Sequence, residues 1–219
     1  MLMQLVTEIK KYKNVILKLF ISFIIFLLFF SALTYILKIS HILEPFMIMD
    51  KITLLTIHEH VSSSLVGLFK FFTVVGSPYS LIAATIILAG FLMIKKDIRA
   101  SLVMLFSVGG VSVLNVVLKH IFMRTRPHLW DRTFEHGYSF PSGHSMVSIA
   151  FILALTFVLW RSKCRNGVIL FGTVFMLIVG FSRLYLGVHF PTDVITGYLI
   201  AGLWTITVVY MFRFQAIDR

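Results

Sequence analysis

The chain has 219 residues, 58% of them hydrophobic and 13% charged, with a mean hydropathy of +0.95. The charged share is about half the ~25% of soluble domains, which argues against a water-soluble globule and for a chain dissolved in lipid. Net charge is +11, but the basic residues lie between apolar runs rather than on one patch, which argues against a nucleic-acid partner. The length suits a single domain, 1–219. Cys164 is the sole cysteine, so no internal disulfide forms.

A helix crossing ~30 Å of hydrocarbon needs roughly 20 residues. Six uncharged runs qualify or nearly qualify: Leu19–Leu37, Pro78–Ile94, Ala100–Leu118, Ser145–Trp160, Asn166–Ser182 and Val194–Phe212. The first is too long for a signal-peptide core and lacks a small-residue cleavage pattern, so it reads as a span. Backbone groups in lipid must pair within their own segment, which makes these runs helices; continuous rather than alternating hydrophobicity excludes a β-barrel. Between the first two runs, Leu54, Ile57, Val61, Leu65, Leu68 and Phe72 recur at helical spacing among polar residues. Lys51–Phe72 therefore reads as an amphipathic helix at the outer interface, closed by Gly76-Ser77-Pro78. The predicted fold class is all-α, with six transmembrane helices plus this interfacial one.

Six spans put both termini on one side. With the termini cytoplasmic, the inner segments hold 12 of the 20 basic residues, among them Lys10, Lys13, Lys18, Lys95, Lys96, Arg161 and Arg213. They hold three acids, Glu8, Asp97 and Asp218. Short basic inner loops fit the positive-inside rule. The outer face keeps basic residues at Lys119–Arg132 and at Arg183, which need another explanation.

Those exceptions fall in three clusters that the topology brings to one face and one depth. The first is Lys119-His-Ile-Phe-Met-Arg-Thr-Arg126-Pro127, the second Pro141-Ser142-Gly143-His144, the third Ser182-Arg183 followed by His189 and Asp193. Their composition suits phosphate. Arg126 and Arg183 can each grip two phosphate oxygens through the guanidinium fork, and Lys119 adds a point charge. Ser142-Gly143-His144 opens a helix, whose free N–H groups and dipole favour an anion; Ser142 suits the N-cap and Gly143 permits close approach. Asp193, four residues after His189, can accept a hydrogen bond from one ring nitrogen and leave the other free to attack phosphorus. His144, beside the phosphate donors, can protonate the leaving oxygen. Phosphoryl transfer mainly needs positioning and charge neutralisation, so these groups suffice with no metal and no cofactor.

Bland readings compete with each motif. A basic residue at a span end is usually an anchor, which fits Lys38 and Lys70. A Ser-Gly-His at a helix start is often only a cap, and a His and Asp four apart are commonly a structural pair. His58-Glu59-His60 suggests a metal, but i and i+2 side chains diverge on a helix, so a solvated face is the better reading. His41 and His120 read as interfacial. His128 and His136 border the second cluster with no role assigned. Phe26, Phe29 and Phe30 read as lipid contacts.

Taken together, Lys119-x6-Arg126-Pro127, Pro141-Ser142-Gly143-His144 and Ser182-Arg183-x5-His189-x3-Asp193 resemble the type 2 phosphatidic acid phosphatase superfamily. These are the lipid phosphate phosphatases, which share a catalytic core with vanadium haloperoxidases and acid phosphatases. Every motif position is filled, and the likeness is to the small bacterial branch of phosphatidylglycerophosphatase B-like and undecaprenyl-diphosphate phosphatase-like enzymes. The resemblance implies a helical core, a phosphohistidine on His189 oriented by Asp193, general-acid catalysis by His144, and phosphate binding by Lys119, Arg126, Ser142, Gly143 and Arg183.

The expected partners are a lipid phosphate substrate and the bilayer, with the active site at the extracytoplasmic face of the cell membrane. Phosphatidylglycerophosphate, undecaprenyl diphosphate, phosphatidic acid and diacylglycerol diphosphate all fit, since each presents a phosphate at the interface. A lipid phosphotransferase would carry the same motifs. A transporter would place charges or broken helices near mid-membrane, where these spans have none. An idle lipid-binding scaffold would not need the complete set of His144, His189 and Asp193.

Overall fold

The computed structural model describes residues 10, 12–39, 44–127, 129, 130, 133 and 135–214. His41, His128, Arg132 and the terminal charges Glu8, Asp218 and Arg219 lie outside the described residues. All elements among the described residues are helical: α1 Lys13–Ile39, α2 Glu44–His60, a 3-10 turn Ser63–Leu65, α3 Val66–Val75, α4 Pro78–Ile94, α5 Ile98–Phe122, α6 Gly143–Val158, α7 Arg165–Tyr185 and α8 Pro191–Phe214.

Short α6 is the hub. It packs on α4, α5, α7 and α8, and buries Gly143, Ser145, Ser148, Ala150 and Ala154. Small residues let helix backbones approach closely where lipid gives no hydrophobic drive to pair them. Around it, Val103, Met104, Val108, Val111 and Leu114 of α5 meet Ile200, Ala201, Trp204 and Val208 of α8. The Trp204 indole donates to the Phe106 carbonyl at 2.9 Å. A side chain at Gly110 would collide with that indole, so the glycine sets the spacing of the two helices.

Among the described residues, four helices are long and apolar enough to cross a membrane: Lys13–Leu33, Ile98–Phe122, Arg165–Tyr185 and Pro191–Arg213. Ser63–Val75 and Pro78–Ile94 pass that test together as a pair bent by 42°, which makes a fifth. The architecture is that of a multi-pass membrane protein. Two of the six predicted spans are the short ones, α4 with 17 residues and α6 with 16. On α1, Phe29 faces outward as expected. Phe26 and Phe30 instead pack on the bundle, Phe26 lying 6.4 Å from the Trp204 ring.

The predicted helix over Lys51–Phe72 is not continuous. It breaks after His60, and Ser62 caps the 3-10 turn by accepting from the Ser64 N–H at 3.3 Å. Serine side chains compete for backbone groups, and three in a row outbid the helix. The break rotates the apolar stripe. Leu54 and Phe69 are buried, whereas Leu65 and Leu68 are exposed. The Gly76-Ser77-Pro78 turn forms as expected: Ser77 caps α4 by accepting from the Ser80 N–H, and Pro78 stands in its first turn.

Candidate active site

Each cluster is delivered by a helix end. α5 stops where Met123 adopts a left-handed conformation (φ 50°) and donates to the Lys119 carbonyl. The following strand of chain is knotted by Ser139, whose N–H donates to the Arg124 carbonyl at 2.8 Å and whose hydroxyl donates to the Thr125 carbonyl at 3.1 Å. Ser142 caps α6, its hydroxyl oxygen accepting from the Ser145 N–H. A Cβ at position 143 would lie 2.9 Å from Asn115 Oδ1, so Gly143 lets α6 sit against α5. Asn115 also donates to the Pro141 carbonyl at 3.0 Å.

Asp193 sits in the first turn of α8 and bonds back to the Phe190 N–H at 2.9 Å through Oδ2. This is the acidic half of a capping box, and it explains why an acid opens this helix. The Asp193 carbonyl accepts from the Ser142 N–H at 3.1 Å, stapling the second cluster to the third. His189 Nδ1 lies 3.4 Å from Asp193 Oδ2. Its Nε2 lies 3.1 Å from Arg126 Nη1. A guanidinium only donates, so Nε2 carries the lone pair and Nδ1 the proton, directed at Asp193. Arg126 Nη1 also donates to the Val188 carbonyl at 2.9 Å, and Nε to the Gly137 carbonyl at 3.2 Å.

The two predicted phosphate-gripping arginines converge. Both are buried, and both meet Glu135: Arg126 Nη1 at 3.1 Å from Oε2, and Arg183 Nη2 on Oε1. Arg183 also donates to Thr73 Oγ1 at 3.1 Å, and Thr73 is bonded to Ser182 at 2.7 Å. The ionisable neighbours of Lys119 are Arg126, Glu135, Arg183 and Asp193; those of His144 are Arg183, His189, Lys119 and Arg126. The predicted residues of all three clusters therefore share one electrostatic environment. Burial first, then Arg126 and Arg183, hold the His189 imidazole well below its ordinary pKa. Burial pushes Glu135 up, but the Arg183 and Arg126 guanidinium groups more than offset this and hold it below the ordinary carboxylate value. Burial lowers Arg126, against the pull of Glu135 and Asp193.

Three charged residues of the site carried no role in the sequence reading. Glu135 is one. The others are Arg124, two positions before Arg126, and Asp50 on α2. Arg124 Nη1 donates to Asp193 Oδ1 at 2.6 Å and Nη2 to Asp50 Oδ2 at 2.7 Å. Arg124 had a sequence signal, a second arginine inside the first cluster. Asp50 had only its place beside Lys51 between two apolar runs. His136 contributes its carbonyl, which accepts from Arg126 Nη2 at 3.3 Å. His58 is exposed and stacks on Trp130, with ring centroids 4.3 Å apart. Among the described residues, no three His, Cys, Asp or Glu side chains are grouped to hold a metal ion.

With this geometry in place, the comparisons with known proteins are specific. The chain is 33% identical over 136 residues to phosphatidylglycerophosphatase B of Bacillus subtilis, covering 60% of this chain and 67% of that one. It is 31% identical over 150 residues to undecaprenyl-diphosphatase of Sulfolobus acidocaldarius, covering 65% and 68%. The crystal structure of the transmembrane PAP2-type phosphatidylglycerolphosphate phosphatase from Bacillus subtilis superposes with a TM-score of 0.64 at 28% identity, over 94% of this chain and 96% of that one. Aquifex aeolicus LpxE superposes with a TM-score of 0.61 at 25% identity, over 74% and 95%. The family model of the PAP2 superfamily matches residues 100–217, a stretch that holds all three clusters, and the chain belongs to that superfamily.

Proposed function

We propose that this protein is a metal-independent lipid phosphatase that hydrolyses a phosphomonoester or diphosphate lipid through a phosphohistidine on His189. One observation carries the reading. A neutral imidazole with its Nε2 lone pair turned toward Arg126 lies beside two buried arginines that already converge on a carboxylate. A phosphate group takes the place of that carboxylate and spans the same two guanidinium groups.

In the first half-reaction His189 Nε2 attacks phosphorus, forming the N–P bond as the bond to the lipid oxygen breaks. His144 gives its proton to that oxygen. Lys119, Arg126, Arg183 and the N–H groups at the start of α6 neutralise the equatorial oxygens, and Ser142 and Gly143 shape that turn. Asp193 holds the Nδ1 proton and stabilises the charge that His189 gains. In the second half-reaction a water attacks phosphorus and gives its proton to His144, the N–P bond breaks, and inorganic phosphate leaves.

The catalytic unit is a single membrane domain, 1–219, with six spans and an interfacial segment before the second. Both termini are cytoplasmic and the site faces outward, following the basic inner loops. The names of the relatives direct attention to phosphatidylglycerophosphate and undecaprenyl diphosphate; phosphatidic acid and diacylglycerol diphosphate share the headgroup chemistry. The test is phosphate release by purified protein in detergent from this panel. Release from at least one lipid phosphate, lost in His189→Ala, supports the reading. Product that forms only with an added acceptor alcohol would favour a phosphotransferase instead.

A further inference from the structure

Asp193 uses both of its oxygens. Oδ2 accepts from Phe190 N–H and faces His189 Nδ1, while Oδ1 accepts from Arg124 Nη1 at 2.6 Å. Arg124 is fixed in turn. Its Nη1 also donates to Thr192 Oγ1 at 2.7 Å, its Nη2 donates to Asp50 Oδ2 at 2.7 Å, and its guanidinium lies 4.1 Å above the Phe190 ring. Asp50 is only 2% exposed. Its Oδ1 accepts from the Thr192 N–H at 3.0 Å, one of the free donors of the first turn of α8. A buried carboxylate is tolerated only where its oxygens are satisfied, and those of Asp50 are. One chain of contacts therefore runs from Asp50 through Arg124 and Asp193 to His189, with charge alternating over its first three members. Asp50 stands on α2, outside the stretch 100–217 that matches the family model.

We infer that Asp50 and Arg124 are positioning residues, which set the orientation and the basicity of His189 through Asp193. This rests on the phosphohistidine reading. Arg124 fixes the plane of the Asp193 carboxylate, so that Oδ2 stays directed at Nδ1. Asp50 fixes the fork of Arg124 and cancels its charge. The rival is a plain docking clamp that ties α2 to α8 and leaves the chemistry alone.

Charge separates the two. The other groups facing His189 are the cations Lys119, Arg126 and Arg183, the carboxylates Glu135 and Asp193, and the imidazole of His144. These residues are themselves unaltered in the Asp50 and Arg124 variants, in which Asp193 alone among them loses a direct partner when Arg124 is replaced. Arg124→Gln removes a positive charge near the dyad, so protonated His189 becomes less unfavourable and the acid limb of kcat moves to higher pH. Asp50→Asn removes a negative charge, and the limb moves to lower pH. A lost docking clamp has no reason to move the two limbs in opposite directions.

The experiment uses the full chain in detergent, with one lipid phosphate and one aryl phosphate, over a pH series. The substrate's own ionisation is common to all variants, so only differences between variants count. The expected result is opposite limb shifts, with kcat lower by ~10–100-fold at the optimum, the range for partners that orient a reacting group, and KM within about twofold. Arg124→Lys keeps the charge but loses the fork, so its limb stays at the wild-type position while kcat falls. If Arg124→Gln does not accumulate, Asp50→Asn and Arg124→Lys decide: a lowered limb in the first and an unmoved one in the second support the proposal. Limbs that coincide with wild type while only the melting temperature falls would overturn it. A wild type that releases no phosphate from any lipid phosphate would remove the phosphatase reading along with it.

Discussion

His189 and Asp193 stand at the start of α8, held by hydrogen bonds from Phe190, Arg124 and Arg126, with Arg124 itself donating to Asp50. Arg126 and Arg183 come from two separate segments, and their shared side-chain partner is Glu135, which is 26% exposed. The proposed nucleophile is thus built into the fold. The proposed phosphate grip is instead closed by a carboxylate that a ligand can replace. The difference teaches where tolerance lies: a nucleophile must be aimed before substrate arrives, whereas a binding site for a dianion must let go of product.

The largest expected effect breaks the rigid side. His189→Ala removes turnover and any covalent phosphoenzyme. Asp193→Asn keeps the shape but favours the wrong tautomer, and should cost up to ~10⁴-fold in kcat with little change in KM, measured as phosphate release. His144→Ala should cost ~100- to 10,000-fold on a lipid phosphate and much less on an aryl phosphate, whose acidic leaving group needs little proton donation. The ratio of aryl to lipid turnover reads this directly, and a rise in His189 variants instead would reverse the two assignments.

A smaller effect sharpens the other side. Glu135→Gln takes the competing charge off both arginines, so inorganic phosphate and vanadate should inhibit about tenfold more strongly, a change of ~1.4 kcal/mol. Unchanged inhibition constants would mean that Glu135 does not hold the anion site. The pH profile reports the same site. Protonated His189 cannot attack, so activity is full above its pKa and falls as pH drops through it. Because that pKa is depressed in the folded protein, the acid limb of kcat/KM should lie below about 6.5, the ordinary histidine value. The smallest expected effect is none: chelators should leave phosphate release unchanged. Loss restored by magnesium would contradict the metal-free mechanism.

Much of this was legible in the sequence because it is local. Four of the six apolar runs became helices long enough to span, and the turn at Gly76-Ser77-Pro78 and the cap at Ser142 follow from neighbours within a few residues. The short spacing of His189 and Asp193 brought them into contact across the start of α8. Asp50 and Glu135 were not legible: Asp50 meets Arg124 across 74 residues, and Glu135 meets Arg183 across 48 and Arg126 within a stretch that has no regular spacing to read. Composition marks neither acid as special. The break after His60 was missed for a different reason. The apolar stripe of Lys51–Phe72 has helical period throughout, and the three serines that interrupt it act through hydrogen bonds that periodicity does not register.

Orientation can be checked independently of activity. A single cysteine placed in the loop 133–138 should react with an impermeant thiol reagent on intact cells, while exposed Cys164 should stay unlabelled. Reversed labelling would place the site on the cytoplasmic side.

The most direct measurement is the covalent intermediate itself. Purified protein is mixed briefly with a lipid phosphate carrying radiolabelled phosphorus, quenched, and mapped by peptide. The account predicts an acid-labile, alkali-stable label on the peptide holding His189, present in Asp193→Asn at a slower rate and missing in His189→Ala. Label that persists in His189→Ala, or that maps to His144, would contradict it.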